Sequence, residues 1–86
     1  MFTKKIQITS LEDAKNFVNI TTKYEDVNMH LRSDNYEIDA HSIVGVLSIV
    51  DSENVITLIA NLPDNDKELS ADIAPFISKK LSHWIV

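Results

Sequence analysis

The chain has 86 residues, with eight Lys and Arg against thirteen Asp and Glu and a formal charge of −5. That length gives one domain, residues 1–86, burying roughly 60–65% of its unfolded surface, and the acidic balance excludes a binder of the phosphate backbone, so no nucleic-acid partner is expected. Cysteine is absent, which removes disulfide and thiolate chemistry and fits a reducing compartment; with no membrane-length apolar run and no basic-then-apolar leader, a cytoplasmic protein without a membrane partner is expected.

Phe2 to Ile8 alternates as a strand, with Ile6 and Ile8 on one face and Lys5 and Gln7 on the other. Ser10 is a candidate N-cap, and Glu12 and Asp13 suit the first turn of a helix. Leu11, Ala14, Phe17, Val18 and Thr21 then recur at helical spacing and predict one buried stripe. Val27 to Arg32 alternates strictly, Ser33-Asp34-Asn35 is a turn signal, and Tyr36 to Ala40 alternates again. These two runs predict a hairpin.

Ser42 opens a short helix reaching to about Ile49, and Asp51-Ser52-Glu53-Asn54 breaks it. Val55 to Ala60 is continuous and β-branched, as a largely buried strand would be. Asn61 to Asp64 is a loop. The last helix is predicted from about Asp66 to near Trp84, with Leu69, Ile73, Phe76, Ile77, Leu81 and Trp84 on its apolar side. Pro75 falls inside this pattern, where it removes a backbone donor and crowds the Ala71 carbonyl, so a kink or an irregular first turn is expected. The order β-α-β-β-α-β-α predicts an α+β open-faced β-sandwich, a four-stranded mostly antiparallel sheet covered on one face by three helices. Its open face would carry Asn28, His30, Arg32, Glu37 and Asp39.

Catalytic patterns are missing. There is no nucleophile–base pair, no glycine-rich phosphate loop and no paired catalytic carboxylates, so no catalytic residue is assigned and no enzyme is expected. His30, His41 and His83 are far apart, with no ligand pair on one turn, so no metal site and no cofactor are expected. They read as two surface imidazoles and one near the C-terminus.

Ser42 is the position that carries more than one meaning. Its hydroxyl can cap the helix by accepting from a first-turn N–H. The same hydroxyl can take a phosphate, which the N–H groups and dipole of a helix start would favour. Ile43, Val44 and Leu47 follow at a spacing that puts them along one face. They are either core or an exposed apolar face, and exposure discriminates between the two. Gly45, the one glycine, would let another surface approach the backbone.

The stretch Ala40-His41-Ser42-Ile43-Val44-Gly45-Val46-Leu47-Ser48-Ile49 resembles the second helix of HPr, the histidine-containing phosphocarrier of the bacterial sugar phosphotransferase system. In that family a Lys-Ser-Ile-Met-Gly-Val-Met-Ser-Leu pattern carries a regulatory serine. The element order is also that of HPr, Met1 to Thr9 looks like its first strand, and Tyr24-Glu25-Asp26-Val27 looks like the lead into its second. The departure lies between Thr9 and Phe17. HPr proteins carry Gly-Leu/Ile-His-x-Arg-Pro-Ala there, and the histidine relays phosphate from enzyme I. This chain has Thr9-Ser10-Leu11-Glu12-Asp13-Ala14, with Glu12 and Asp13 repelling a phosphate where the family binds one.

The resemblance implies a degenerate HPr-like member: a regulatory or protein-interaction module without histidine phosphotransfer. Ser42 is its possible phosphosite, and Ile43, Val44 and Leu47 its possible partner-binding residues. The partner would be a kinase, a transcription regulator or a phosphotransferase component. The alternative is a phosphocarrier that works through a non-standard residue. Oligomeric state is not fixed by the sequence.

Overall fold

The computed structural model describes residues 1–34, 36–50 and 55–77. Along the chain come β1 (Phe2–Ile6), α1 (Leu11–Thr22), β2 (Met29–Arg32), β3 (Glu37–Asp39), α2 (Ile43–Leu47), β4 (Ile56–Ala60) and α3 (Lys67–Ile73). A 3-10 turn, Ala74–Phe76, follows α3. The strands form one sheet in the order β1-β4-β2-β3, and every pairing is antiparallel. The helices lie on one face, so this is the expected α+β open-faced sandwich. Among the described residues no helix is long and apolar enough to cross a membrane.

Period-two alternation sorts the two faces of the sheet. Phe2, Ile6, Met29, Leu31, Ile56, Leu58 and Ala60 point under the helices and are buried. In the opposite phase, Lys5, Thr57, Arg32 and Glu37 stand in one row, and Thr3, Ile59, His30 and Asp39 in the next. Glu37 accepts from Arg32 Nε and Nη2, both at 2.8 Å, which clamps the outer hairpin pair.

α1 begins as its cap predicts, with Ser10 Oγ accepting from the Asp13 N–H. Ala14, Phe17 and Thr21 are buried and Val18 is half-buried, but Leu11 is 63% exposed. Leu11 is the first residue of the helix, and helical side chains lean toward the N-terminus, so its side chain overhangs the rim of the core. The C-terminal segment departs further from expectation. α3 starts after the Asp66 cap but stops at Ile73. Pro75 has no N–H to continue the ladder and its ring crowds the preceding turn, so the chain tightens into the 3-10 turn. Ile77 is then extended and bridges Ile6 of β1. Over the described residues the expected helix is therefore two segments with Phe76 turned inward, its ring edge-on to Phe17 at 5.5 Å. Leu81, Trp84, His83 and the break at Asp51–Asn54 lie outside the described residues.

Thr21 is the buried polar residue in this core. Its one hydroxyl proton is shared between the Val18 carbonyl at 3.1 Å and the Ala40 carbonyl at 2.9 Å. Ala40 is buried in the turn that leads to α2, so the hydroxyl pins that turn to α1. Thr21→Val should cost about 1–3 kcal/mol, because the Ala40 carbonyl loses its partner without gaining water. Thr22→Val, at the neighbouring exposed threonine that bonds only within its own helix, should cost well under that. Urea denaturation of the two variants checks the contrast.

Candidate functional site

α2 has only five residues, too few to hold a helical turn alone. Its start is tied locally. The His41 N–H donates to Asp39 Oδ1 at 2.8 Å, an Asx-turn. The Ser42 N–H donates to the Asp39 carbonyl. Ser42 Oγ then accepts from the Gly45 N–H at 3.2 Å. Ser42 therefore does cap the helix, and it is half-exposed. A helix this short has little dipole, so any anion on Ser42 would depend on the local N–H groups.

Val46 is fully buried and fixes which side of α2 faces inward. Val44 points away from it and is 75% exposed, while Ile43 and Leu47 flank the buried side and are 39% and 38% exposed. They are neighbours at helical spacing. No charged residue occurs from Ser42 to Val50, so the exposed face is apolar and uncharged. Gly45 does not open the backbone to an outside surface as expected. A Cβ there would meet Ser42 Cβ and Oγ at 3.5 Å and Ile38 Cβ at 3.6 Å, ordinary contact distances within the same chain.

The opening of α1 is closed by its own side chains. Asp13 Oδ2 accepts from the Thr9 N–H at 3.2 Å and from Thr9 Oγ1 at 2.8 Å, while Ser10 takes the Asp13 N–H. The hollow beside it, lined by Gln7, Thr9, Asp13, Pro75, Phe76 and Ile77, is small, about 90 Å³. Among the described residues no histidine stands there: His30 is on the open face, 3.8 Å from Glu37, and His41 is in the turn before α2. Among the described residues no three His, Asp or Glu side chains converge to hold a metal ion.

The chain resembles solved structures over most of its length, among them these two. HPr-C-His from Thermoanaerobacter tengcongensis is 27% identical over 95% of this chain and 97% of its own, with a TM-score of 0.69. The chain has an HPr-like fold. The phosphocarrier protein HPr from Bacillus anthracis str. Ames has the same fold at 21% identity, covering 86% of this chain and 94% of its own, with a TM-score of 0.66. No family model matches the sequence, and no curated protein matches it. The HPr-like architecture is thus carried by pattern and core volume more than by residue identity.

Sequence reasoning missed the groups that brace the turn before α2. His41 is not a surface imidazole. It is 24% exposed, with Nδ1 2.8 Å from Asp39 Oδ1 and Nε2 3.1 Å from the Tyr24 carbonyl. The His41 N–H, and then its imidazole, hold the Asp39 carboxyl below its usual range. The signal in the sequence was the Asp placed two residues before His41, a spacing that favours an Asx-turn. Tyr24, buried, donates its hydroxyl to Asp72 Oδ2 at 2.8 Å, and Lys23 Nζ lies 2.9 Å from the same oxygen. Burial, with Asp72 alongside, pushes the Tyr24 hydroxyl up, while Lys23 and then Tyr24 hold the Asp72 carboxyl down.

Two outcomes follow. Ser42→Ala should lower stability by about 1 kcal/mol through loss of the cap. Gly45→Ala should raise it by roughly 0.5–1 kcal/mol, since no glycine here has positive φ and the methyl fits. Thermal unfolding reads both. Asp39 and Asp72 have depressed folded-state values, so they stabilise above the ordinary carboxylate range and lose that contribution as pH falls through the folded values. Unfolding midpoints should therefore drop on acidification below about pH 4, and Asp39→Asn with Asp72→Asn should flatten that limb.

Proposed function

We propose that this chain is a non-enzymatic regulatory module related to the sugar phosphotransferase system. It works in the cytoplasm by docking a protein partner through Ile43, Val44 and Leu47, with Ser42 as a regulatory phosphosite. The observation that carries the reading is the uncharged, exposed face of α2 set directly behind a half-exposed serine cap. The resemblance of residues 40–49 to the serine-bearing helix of HPr supports it. The closure of α1 by Thr9, Ser10 and Asp13 supports a module without histidine phosphotransfer. A phosphohistidine relay needs an imidazole at the helix start and cationic groups to hold the phosphoryl charge. A carboxylate occupies that position here, and it would repel the dianion.

The partner class is a kinase, a transcription regulator or a phosphotransferase component. A phosphate on Ser42 adds about −1.5 to −2 charge beside an apolar patch, so it changes which partner the patch fits. The direct test is incubation with an HPr serine kinase and ATP. One phosphate should enter the wild-type chain and none should enter Ser42→Ala. An unlabelled wild-type chain removes the switch from this reading. Val44→Asp should weaken partner capture about tenfold or more, since it places a charge at the most exposed apolar position. Incubation with enzyme I and phosphoenolpyruvate should leave the intact mass unchanged. A gain of one phosphoryl group would favour a phosphocarrier with a non-standard acceptor instead.

A further inference from the structure

His41 faces two oxygen acceptors. One is the Asp39 carboxylate, 2.8 Å from Nδ1, and the other is the Tyr24 carbonyl, 3.1 Å from Nε2. A neutral imidazole has one N–H and can donate to one of them, leaving the other nitrogen's lone pair against an oxygen. A ring with two N–H groups donates to both.

The two acceptors belong to different parts of the fold. Asp39 ends β3 and folds its carboxylate under the turn that leads to Ser42. Tyr24 follows the C-cap of α1, and its hydroxyl reaches Asp72 on α3, where Lys23 also binds. The imidazole therefore joins the start of α2 to a corner already shared by α1 and α3. The nearby Thr21–Ala40 bond serves the same turn but does not titrate.

We propose that His41 is a proton-dependent strap on the Ser42-bearing turn: with two N–H groups it ties that turn to the end of α1, and loss of one proton releases one tie. The charged groups around it are of both signs. Asp39 bonds it directly from β3, and His30, beside Glu37 on the open face, acts on Asp39. From the helix side come Tyr24 and Lys23, with Asp72 and Glu68 of α3 acting on Tyr24. The ring carries two N–H groups at low pH and one after pH rises, so the strap is whole in acid and loses a tie in base. Should α2 dock a partner as read above, docking would weaken over the same rise, but the strap itself is measured on the free chain.

The test is NMR of the full chain from about pH 5 to about pH 9, spanning the ordinary imidazole range. The ring nitrogens of His41 are followed together with the amides of Gly45 and Glu25, the latter sharing its peptide group with the Tyr24 carbonyl. Both amides should move with the midpoint of His41. Asp39→Asn should shift that common midpoint to lower pH. His41→Gln should abolish the amide step while amide dispersion shows an intact fold. Amides that ignore the His41 titration, or a midpoint unmoved by Asp39→Asn, overturn the strap. A strap that titrates as described while partner capture stays flat with pH overturns the docking reading alone.

Discussion

The Thr21 hydroxyl is the buried group on which the placement of α2 depends. α2 spans five residues, and a segment that short gains too few internal hydrogen bonds to offset the cost of its first turn. Its position must come from outside. Thr21 holds the Ala40 carbonyl from α1, and Val46 drives into the core from the other side of the helix. Between these two anchors the rotation of α2 is set. Once Val46 is inside, Val44 must be outside, because two helical positions divert side chains by about 200°. The exposed apolar face is thus a consequence of what is buried. Val46 and Thr21 choose it.

The elements with strong local signals were legible from sequence. Ser10 and Ser42 cap where their hydroxyls could reach an N–H three residues on. Alternation over 27–32 and 36–40 predicted the hairpin, observed at 29–32 and 37–39, and the β-branched run at 55–60 predicted the interior strand β4, observed at 56–60. What failed was reach. Periodicity extended the last helix through Pro75 because Phe76 and Ile77 sit at plausible helical positions. A pyrrolidine ring outweighs that pattern locally, since it removes a hydrogen bond while the pattern only orients side chains. Phe76 reaches the core anyway, through a 3-10 turn instead of a helix, so the apolar signal was sound and its geometry was not. Leu11 shows the opposite error, an apolar residue in phase with the stripe but at the helix end, where the core has run out.

The candidate site was less legible, for a different reason. Ser42, Ile43, Val44 and Leu47 stand out as local residue types. Asp39, His41, Tyr24 and Thr21 do not, because their roles are mostly contacts between segments far apart in the chain, nineteen residues for Thr21 and Ala40 and 48 for Tyr24 and Asp72. A threonine on an apolar stripe looks like a weak hydrophobe until the buried carbonyl it serves is known. A histidine in a polar turn looks solvated until both ring nitrogens are seen to face oxygens. Hydrogen-bond satisfaction is a property of the packed chain, and the sequence constrains it only through which acceptors must find a donor.

The size of the α2 face bears on what kind of docking it can support. Fully burying a Val, Leu or Ile side chain is worth about 1.5–3 kcal/mol. The three here are already between a quarter and two-thirds buried, so covering them adds roughly 3 kcal/mol in all. That is less than the roughly 4 kcal/mol of a millimolar complex. Apolar contact at this patch is therefore enough to orient a partner and too little to hold one. The remainder must come from groups at its border. A charge-assisted hydrogen bond contributes about 1.5–3 kcal/mol, so one or two such bonds to a phosphate on Ser42 would equal the whole apolar term. Under the proposed function, that ratio is what would make the serine a switch: where the apolar surface alone holds strongly, a phosphate only modulates, and where it holds weakly, the phosphate decides.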